Sequence, residues 1–569
     1  MTKRDVLIGL LFLLFVVMTS QLVSADQAVI NSQDWQDIYS AEMYQHTIGG
    51  ETHYIVEESQ GMDLINQYVI NPKNKNILLI ESKDRPVIKG YQSKLEENGF
   101  IVEKLSSARA KDTNLLLAQK ILDKKDVSGF IVVDGSLGYS AVSVIPYALL
   151  SDFVVIFADK ENVDKVYEII SKNKNKEVIL YGHIDREVKN TLQEFNPKII
   201  NNADRYKDNI EIVKLFEEKS PKKMVYMTNG EFLEDGLFQP EFPILFVGTT
   251  NVPPQVFDYI KSSSFTTGMV IGYDLFSNAL RLRKDTGLNI YLKHAQGRNG
   301  ELYALNIFPL PSYKPSIKIE GVHYNAATKK LEVTFRNIGD IYTYVQTLKH
   351  DLIVGDKSVA SASDEAAFFL NDKDRSTQTY DVNLNDYLKD EIKVKSDVLY
   401  GESSSQLTFL LSAENDLSVI SQDDNADIDI TNVVYNTRAK RFEVTISNIG
   451  TVGAFVDPQV EDVLVAGQKV TAGGEMQHIN SGGNAVFNIP LELIDEDIKD
   501  NPSITVHARY GEREDGLIKS KIAILKLELT SSSSMTYIWI IVIIVILWLF
   551  FLVRKKKKED EKNAKHKPY

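Results

Sequence analysis

The chain of 569 residues has no cysteine and a formal charge of −14. Without thiols it has no disulfide, no lipidated cysteine and no thiolate metal site. Residues 554–569 carry +5 and residues 1–25 carry +1, leaving the remainder near −20, a balance that argues against nucleic acid and against passive adsorption to anionic lipid or wall polymer.

In chain order, residues 1–25 read as a secretion signal: Lys3 and Arg4, an apolar run from Val6 to Met18, and the small-residue exit Val23-Ser24-Ala25, with cleavage after Ala25. Residues 26–73 show weak periodicity and read as a polar lead-in. From 74 to 313, short β-branched runs alternate with helical stretches such as Thr113 to Lys125 and Val163 to Lys172. The runs are Ile77 to Ile80, Phe130 to Val133, Phe153 to Phe157, Val178 to Tyr181, Met224 to Met227 and Ile244 to Val247. Continuous apolar runs of this length predict strands buried on both faces, hence a doubly wound parallel sheet with helices on each side. The region also repeats itself. Asp159 to Ile170 aligns with Thr249 to Ile260, Gly182 then falls on Gly272, and Ile77 to Val87 matches Val178 to Val188, or roughly two and a half αβ units.

After Pro311 the texture changes to alternating strands and turns. Val322 to Gly339 and Val433 to Gly450 match at 10 of 18 positions at an offset of 111, which predicts two β-sandwiches, 314–413 and 430–530, joined by an acidic linker at 414–429. Residues 535–553 are 19 without a charge, about 28 Å of helix, followed at once by Arg554 and Lys555 to Lys558. This reads as one transmembrane helix with a basic tail, 554–569, left in the cytoplasm. The expected fold class is multidomain: an α/β doubly wound repeat head, two all-β immunoglobulin-like sandwiches and one C-terminal transmembrane helix.

Four pieces of the α/β region, in order, resemble the cell wall-binding repeat 2 family of surface-layer-associated proteins: Ser140 to Ala148, Val178 to Gly182 followed by Val188, Asn202-Ala203-Asp204-Arg205-Tyr206, and Pro243 to Val247. The resemblance covers about residues 74–282 and implies noncovalent attachment to a cell-envelope polymer. The sequence departs from the family pattern at Gly182-His183, and at Ala108 to Asp112, where the earlier copy lacks the Arg-Tyr pair. The sandwiches resemble those of prokaryotic surface proteins, on patterning and the Asn-Ile-Gly turn only.

Ligands of doubly wound sheets bind beyond the carboxyl ends of the strands, where Asp134, Asp159, His183 and Asp274 are expected; the competing reading is that they cap the next helix. Gly135 to Gly138 reads as a tight strand-to-helix turn and not a phosphate cradle. Asp204, Arg205 and Tyr206 are the candidate polymer-binding residues, against a structural reading in which Asp204 caps a helix and Arg205 pairs locally. The nine histidines show neither H-E-x-x-H nor paired spacing for zinc, and there is no G-x-S-x-G. No catalytic residue, metal or cofactor is expected. The leading expectation is therefore a noncatalytic membrane-anchored cell-surface protein, its ectodomain extracellular, whose partners are an envelope polymer or surface-layer protein and, through 535–553, the lipid bilayer. An ectoenzyme or solute-binding head using the strand-end carboxylates, and a purely structural surface-layer component, stand beside it.

Overall fold

The computed structural model describes residues 27–66, 70, 74–136, 138–272, 275–298, 301–312, 314–339, 341–530 and 554. The secretion signal, the span 535–553, the rest of the basic tail and Asp274 lie outside the described residues. Among the described residues no helix is long and apolar enough to cross a membrane. The chain divides into two compact units: residues 1–323 with 335–375 and 380–419, and residues 324–334 with 376–379 and 420–569.

The α/β region consists of three modules of one topology. The first has strands β1 (Gln27–Asn31), β2 (Glu51–Tyr54), β3 (Asn76–Glu81) and β4 (Ile101–Leu105), with helices α1 (Trp35–Ile48), α2 (Glu58–Asn66) and α3 (Tyr91–Glu97) between them. Helix α4 (Ala110–Lys124) leads to the second module: β5 (Gly129–Val133), α5 (Tyr139–Ser151), β6 (Phe153–Phe157), α6 (Val163–Ser171), β7 (Glu177–Tyr181), α7 (Arg186–Leu192) and β8 (Lys198–Ile200). Helix α8 (Arg205–Lys219) leads to the third: β9 (Met224–Thr228), the short β10 (Phe232–Glu234), β11 (Ile244–Phe246), α9 (Pro254–Ser262), β12 (Thr267–Ile271), α10 (Phe276–Thr286) and β13 (Asn289–Lys293). The sheets run β2-β1-β3-β4, β6-β5-β7-β8 and β11-β9-β12-β13, and every pairing in them is parallel. In each, the first strand sits between the second and third, so strand order reverses at the same place three times.

The stretch read as a polar lead-in is therefore corrected: with it, the half-copy becomes a whole module. β1 is fully buried and pairs with β2 on one side and β3 on the other. Helix α1 escaped the periodicity argument because ten of its 14 residues are buried, Asp37, Glu42 and Gln45 among them. A helix enclosed nearly all round presents no stripe. Its ends are ordinary: Asp34 accepts from the Gln36 N–H at the start, and Gly49 takes the left-handed conformation (φ 80°) at the end.

Beyond residue 313 the two copies predicted from the offset of 111 are present strand for strand. Ile317–Asn325, Lys330–Asn337 and Thr343–Val354 in the first correspond to Ile428–Asn436, Arg441–Asn448 and Ala454–Val465 in the second. Each copy has a four-stranded and a five-stranded sheet, in the same order. The repeated Asn-Ile-Gly is a turn clamp. Asn337 Oδ1 accepts from the Gly339 N–H and its amide donates to the Ile341 carbonyl, while Asn448 does the same with Gly450 and Val452. The acidic linker is shorter than expected, because Phe409–Asp416 and Ser418–Ile420 are strands of the first copy and the second begins at Ile428.

Candidate functional site

The two helices that join the modules start alike. Five residues after the N-cap, Asn114 on α4 donates to the Val155 carbonyl and accepts from the Phe157 N–H; Asn209 on α8 does the same with Ile244 and Phe246. Each asparagine pins the edge strand of the next sheet to the incoming helix, and so fixes where the residues just before it stand. Those residues are Arg109, Ala110 and Lys111 at the first junction and Asp204, Arg205 and Tyr206 at the second.

At the first junction the carboxyl ends of two sheets open onto one cleft of about 560 Å³. Asp34 and Gln36 follow β1, Asp84 and Arg85 follow β3, and Arg109 and Lys111 follow β4. Asp134 and Ser136 follow β5, Asp159 and Glu161 follow β6, and Asp185 follows β7. Six carboxylates thus face three cations. Lys111 is the centre of the cationic side: its ammonium donates to Asp159 and, at 2.8 Å, to Glu161. Burial alone would raise the Asp159 carboxyl, but Lys111 and the N–H groups of Glu161 and Asn162 outweigh it and hold it below its ordinary value. Asp134 goes the other way, pushed up by burial although Ser136 donates to it, with Asp185 adding like charge. Arg85 pairs with Asp34 at 2.9 Å but is well exposed, as is Arg109. Ser136 bonds the Asp134 carboxylate through both its hydroxyl and its N–H, a local turn at the end of β5. Carboxylates, guanidinium groups and an amide converging on a concave surface are suited to polyhydroxyl or amine-bearing ligands.

At the second junction the corresponding position is closed. The segment around Glu402 to Leu410, which links two paired strands of the first sandwich, lies against it: Asn251 donates to the Leu407 carbonyl at 2.7 Å, the N–H groups of Thr250 and Asn251 donate to Thr408, and the Leu410 N–H donates to the Thr250 hydroxyl. Arg205 is 6% exposed. Its guanidinium lies 3.3 Å from the Glu402 carboxylate and over the Tyr139 and Tyr206 rings. Burial is the largest influence and would lower its pKa, but Glu402, Tyr206, Tyr139 and Glu231 together outweigh it and raise it. Asp204 caps α8 by accepting from the N–H groups of Tyr206 and Lys207, and Tyr206 is wholly buried.

Of the residues singled out from sequence, Asp134 and Asp159 meet in the open cleft. His183 is exposed and is not among its lining residues. Asp159 also does what a cap does, accepting from Glu161 and Asn162 N–H groups before α6. Asp204, Arg205 and Tyr206 come together at the closed junction. The charged cleft residues that sequence reasoning missed are Asp34, Asp84, Arg85, Arg109, Lys111, Glu161 and Asp185. For Arg109 and Lys111 the signal was the departure at Ala108 to Asp112, the very place where an Arg-Tyr pair gives way to Ala110-Lys111.

No family model matches the chain, and no curated protein matches it. Among solved structures it is similar to Cwp6 from Clostridium difficile (17% identity, TM-score 0.37, 46% of this chain and 44% of that one). It is also similar to Cwp8 from Clostridium difficile (16% identity, TM-score 0.39, 46% and 48%). The chain therefore spans less than half the length of either.

Proposed function

We propose that this is a noncatalytic, membrane-anchored cell-surface protein whose α/β head holds an envelope glycan in the cleft between its first two modules. The observation that carries the reading is the contrast between two equivalent junctions: one filled by the chain's own Glu402 segment around Arg205, the other open and lined by charged and polar side chains. Six carboxylates against three cations favour a neutral or amine-bearing glycan over an anionic polymer, because an acidic surface repels the latter. Carboxylates accept from sugar hydroxyls and Arg85 and Arg109 donate to ring and exocyclic oxygens.

The test is retention of the solubilised full chain on its own cell's insoluble envelope glycan. The pair Arg85→Ala with Arg109→Ala removes two exposed cations whose ion pairs contribute little to folding, so retention is expected to fall about tenfold, equivalent to ~1.4 kcal/mol, with the melting temperature nearly unchanged. Unaltered retention removes the cleft from the proposal. The size of the cleft and the strand-end position of Asp134 and Asp159 favour, as a second reading, a solute-binding or catalytic head. A stoichiometric small molecule released on denaturing the purified protein supports that alternative.

Anchoring through 535–553 is part of the same proposal and rests on the uncharged run and the cations after it. External protease on intact cells is expected to remove the ectodomain and spare an epitope placed after Lys558. Loss of that epitope without lysis overturns the orientation.

A further inference from the structure

Away from the cleft, helix α1 of the first module meets the short turn Asp235–Leu237 of the third. Glu42 and His46 lie one helical turn apart on α1, which puts them side by side, and Asp235 approaches from the other module. One ligand atom from each lies within 4.8 Å of the other two, and His46 Nε2 is 3.5 Å from Glu42 Oε2. Glu42 is fully buried: Thr52 donates to one of its oxygens, and the other, Oε1, has no hydrogen-bond partner. An ionised carboxylate enclosed in this way, with a second carboxylate beside it, is costly unless a cation offsets both. His46 is about one-third exposed and Asp235 is exposed, so the group opens to solvent on one side.

We propose that Glu42, His46 and Asp235 bind a divalent first-row transition cation, zinc being the best fit, with water completing the shell. Two ligands at about 2.1 Å on a tetrahedral metal stand about 3.4 Å apart, which is the His46–Glu42 separation already present. Asp235, free to change rotamer at the surface, closes the remaining distance. The supports a metal site needs are in place: the Thr52 hydroxyl orients the Glu42 carboxylate, and the Phe238 ring stacks on the His46 imidazole at 6.1 Å between centroids. Because α1 and the 235–237 turn belong to the first and third modules, the ion ties together elements nearly 200 residues apart in sequence. The site is independent of the glycan cleft, so either can fail without the other.

Untagged, chelator-stripped full-length protein titrated with zinc is expected to take up one equivalent by calorimetry and to melt several degrees higher when loaded. Cobalt is expected to give visible absorption of a low-coordinate site. Asp235→Asn, an exposed change, is expected to weaken zinc binding at least tenfold without lowering the melting temperature of the metal-free protein. His46→Gln is expected to abolish cobalt absorption. No uptake at millimolar zinc overturns the proposal, as does uptake that is unchanged in both variants, which would place the metal on other histidines.

Discussion

Replacing Glu402 by alanine is expected to cost about 3–5 kcal/mol, because it removes the carboxylate in direct contact with the buried Arg205 guanidinium and leaves Glu231 as its remaining counter-charge. The pair is enclosed on both sides, with side-chain exposures of 4% for Arg205 and 14% for Glu402, so solvent cannot take over for the lost carboxylate. Desolvating the pair costs much of what its attraction returns. The double change Arg205→Met with Glu402→Leu is therefore expected to recover most of the loss. The same geometry predicts the outcome of Arg205→Ala on envelope retention: lower stability, with retention per folded molecule unaltered at low salt. Melting and retention measured on one preparation decide this. Loss of retention that shrinks as salt rises, with melting unmoved, would instead place Arg205 in contact with an anionic polymer.

How much of this was legible in the sequence depended on burial. All six apolar runs proved to be strands, because a strand covered on both faces leaves an uninterrupted apolar record. Edge strands β2, β4 and β13 left none: β4 is Ile-Val-Glu-Lys-Leu with one residue buried, and β13 has none. β8 is three residues long. α1 was hidden for the opposite reason, since a helix enclosed nearly all round needs polar residues to meet polar partners and so loses its stripe. That there are two sandwiches was legible because Val322 to Gly339 recurs 111 residues later, although most of their individual strands were not assigned from it. The cleft was not legible, because Lys111 meets Asp159 and Glu161 only where α4 is pinned to β6 through Asn114, and residues 48 and 50 apart leave no periodic trace. The Asp204-Arg205-Tyr206 segment was found, but its burial depends on Glu402, almost 200 residues away.

Acidification is expected to loosen the first sandwich through one residue, His350. It lies fully buried on the strand Thr343–Val354, with Nδ1 at 2.8 Å from the Ser396 hydroxyl and Nε2 at 3.3 Å from that of Thr347. The Tyr380 ring stands edge-on at 5.1 Å. Both nitrogens face hydroxyl groups that accommodate a neutral imidazole, and burial pushes the pKa down to about 4, against a small upward pull from Asp351. In the unfolded chain the group titrates near 6.5. As pH falls from about 6.5 towards 4, the unfolded state takes up a proton that the folded state refuses. The stability this neutral histidine contributes is thus present above pH 6.5 and lost by about pH 4, an effect on the order of 3 kcal/mol. His350→Gln is expected to be less stable at pH 7.5, having lost ring packing, yet to lose this component of the slope between pH 6.5 and 4.5. Hydrogen exchange of the Thr343–Val354 amides across that range reads the first sandwich without averaging over the other domains. An equal acid-induced loss of protection in wild type and His350→Gln would remove the histidine as its cause.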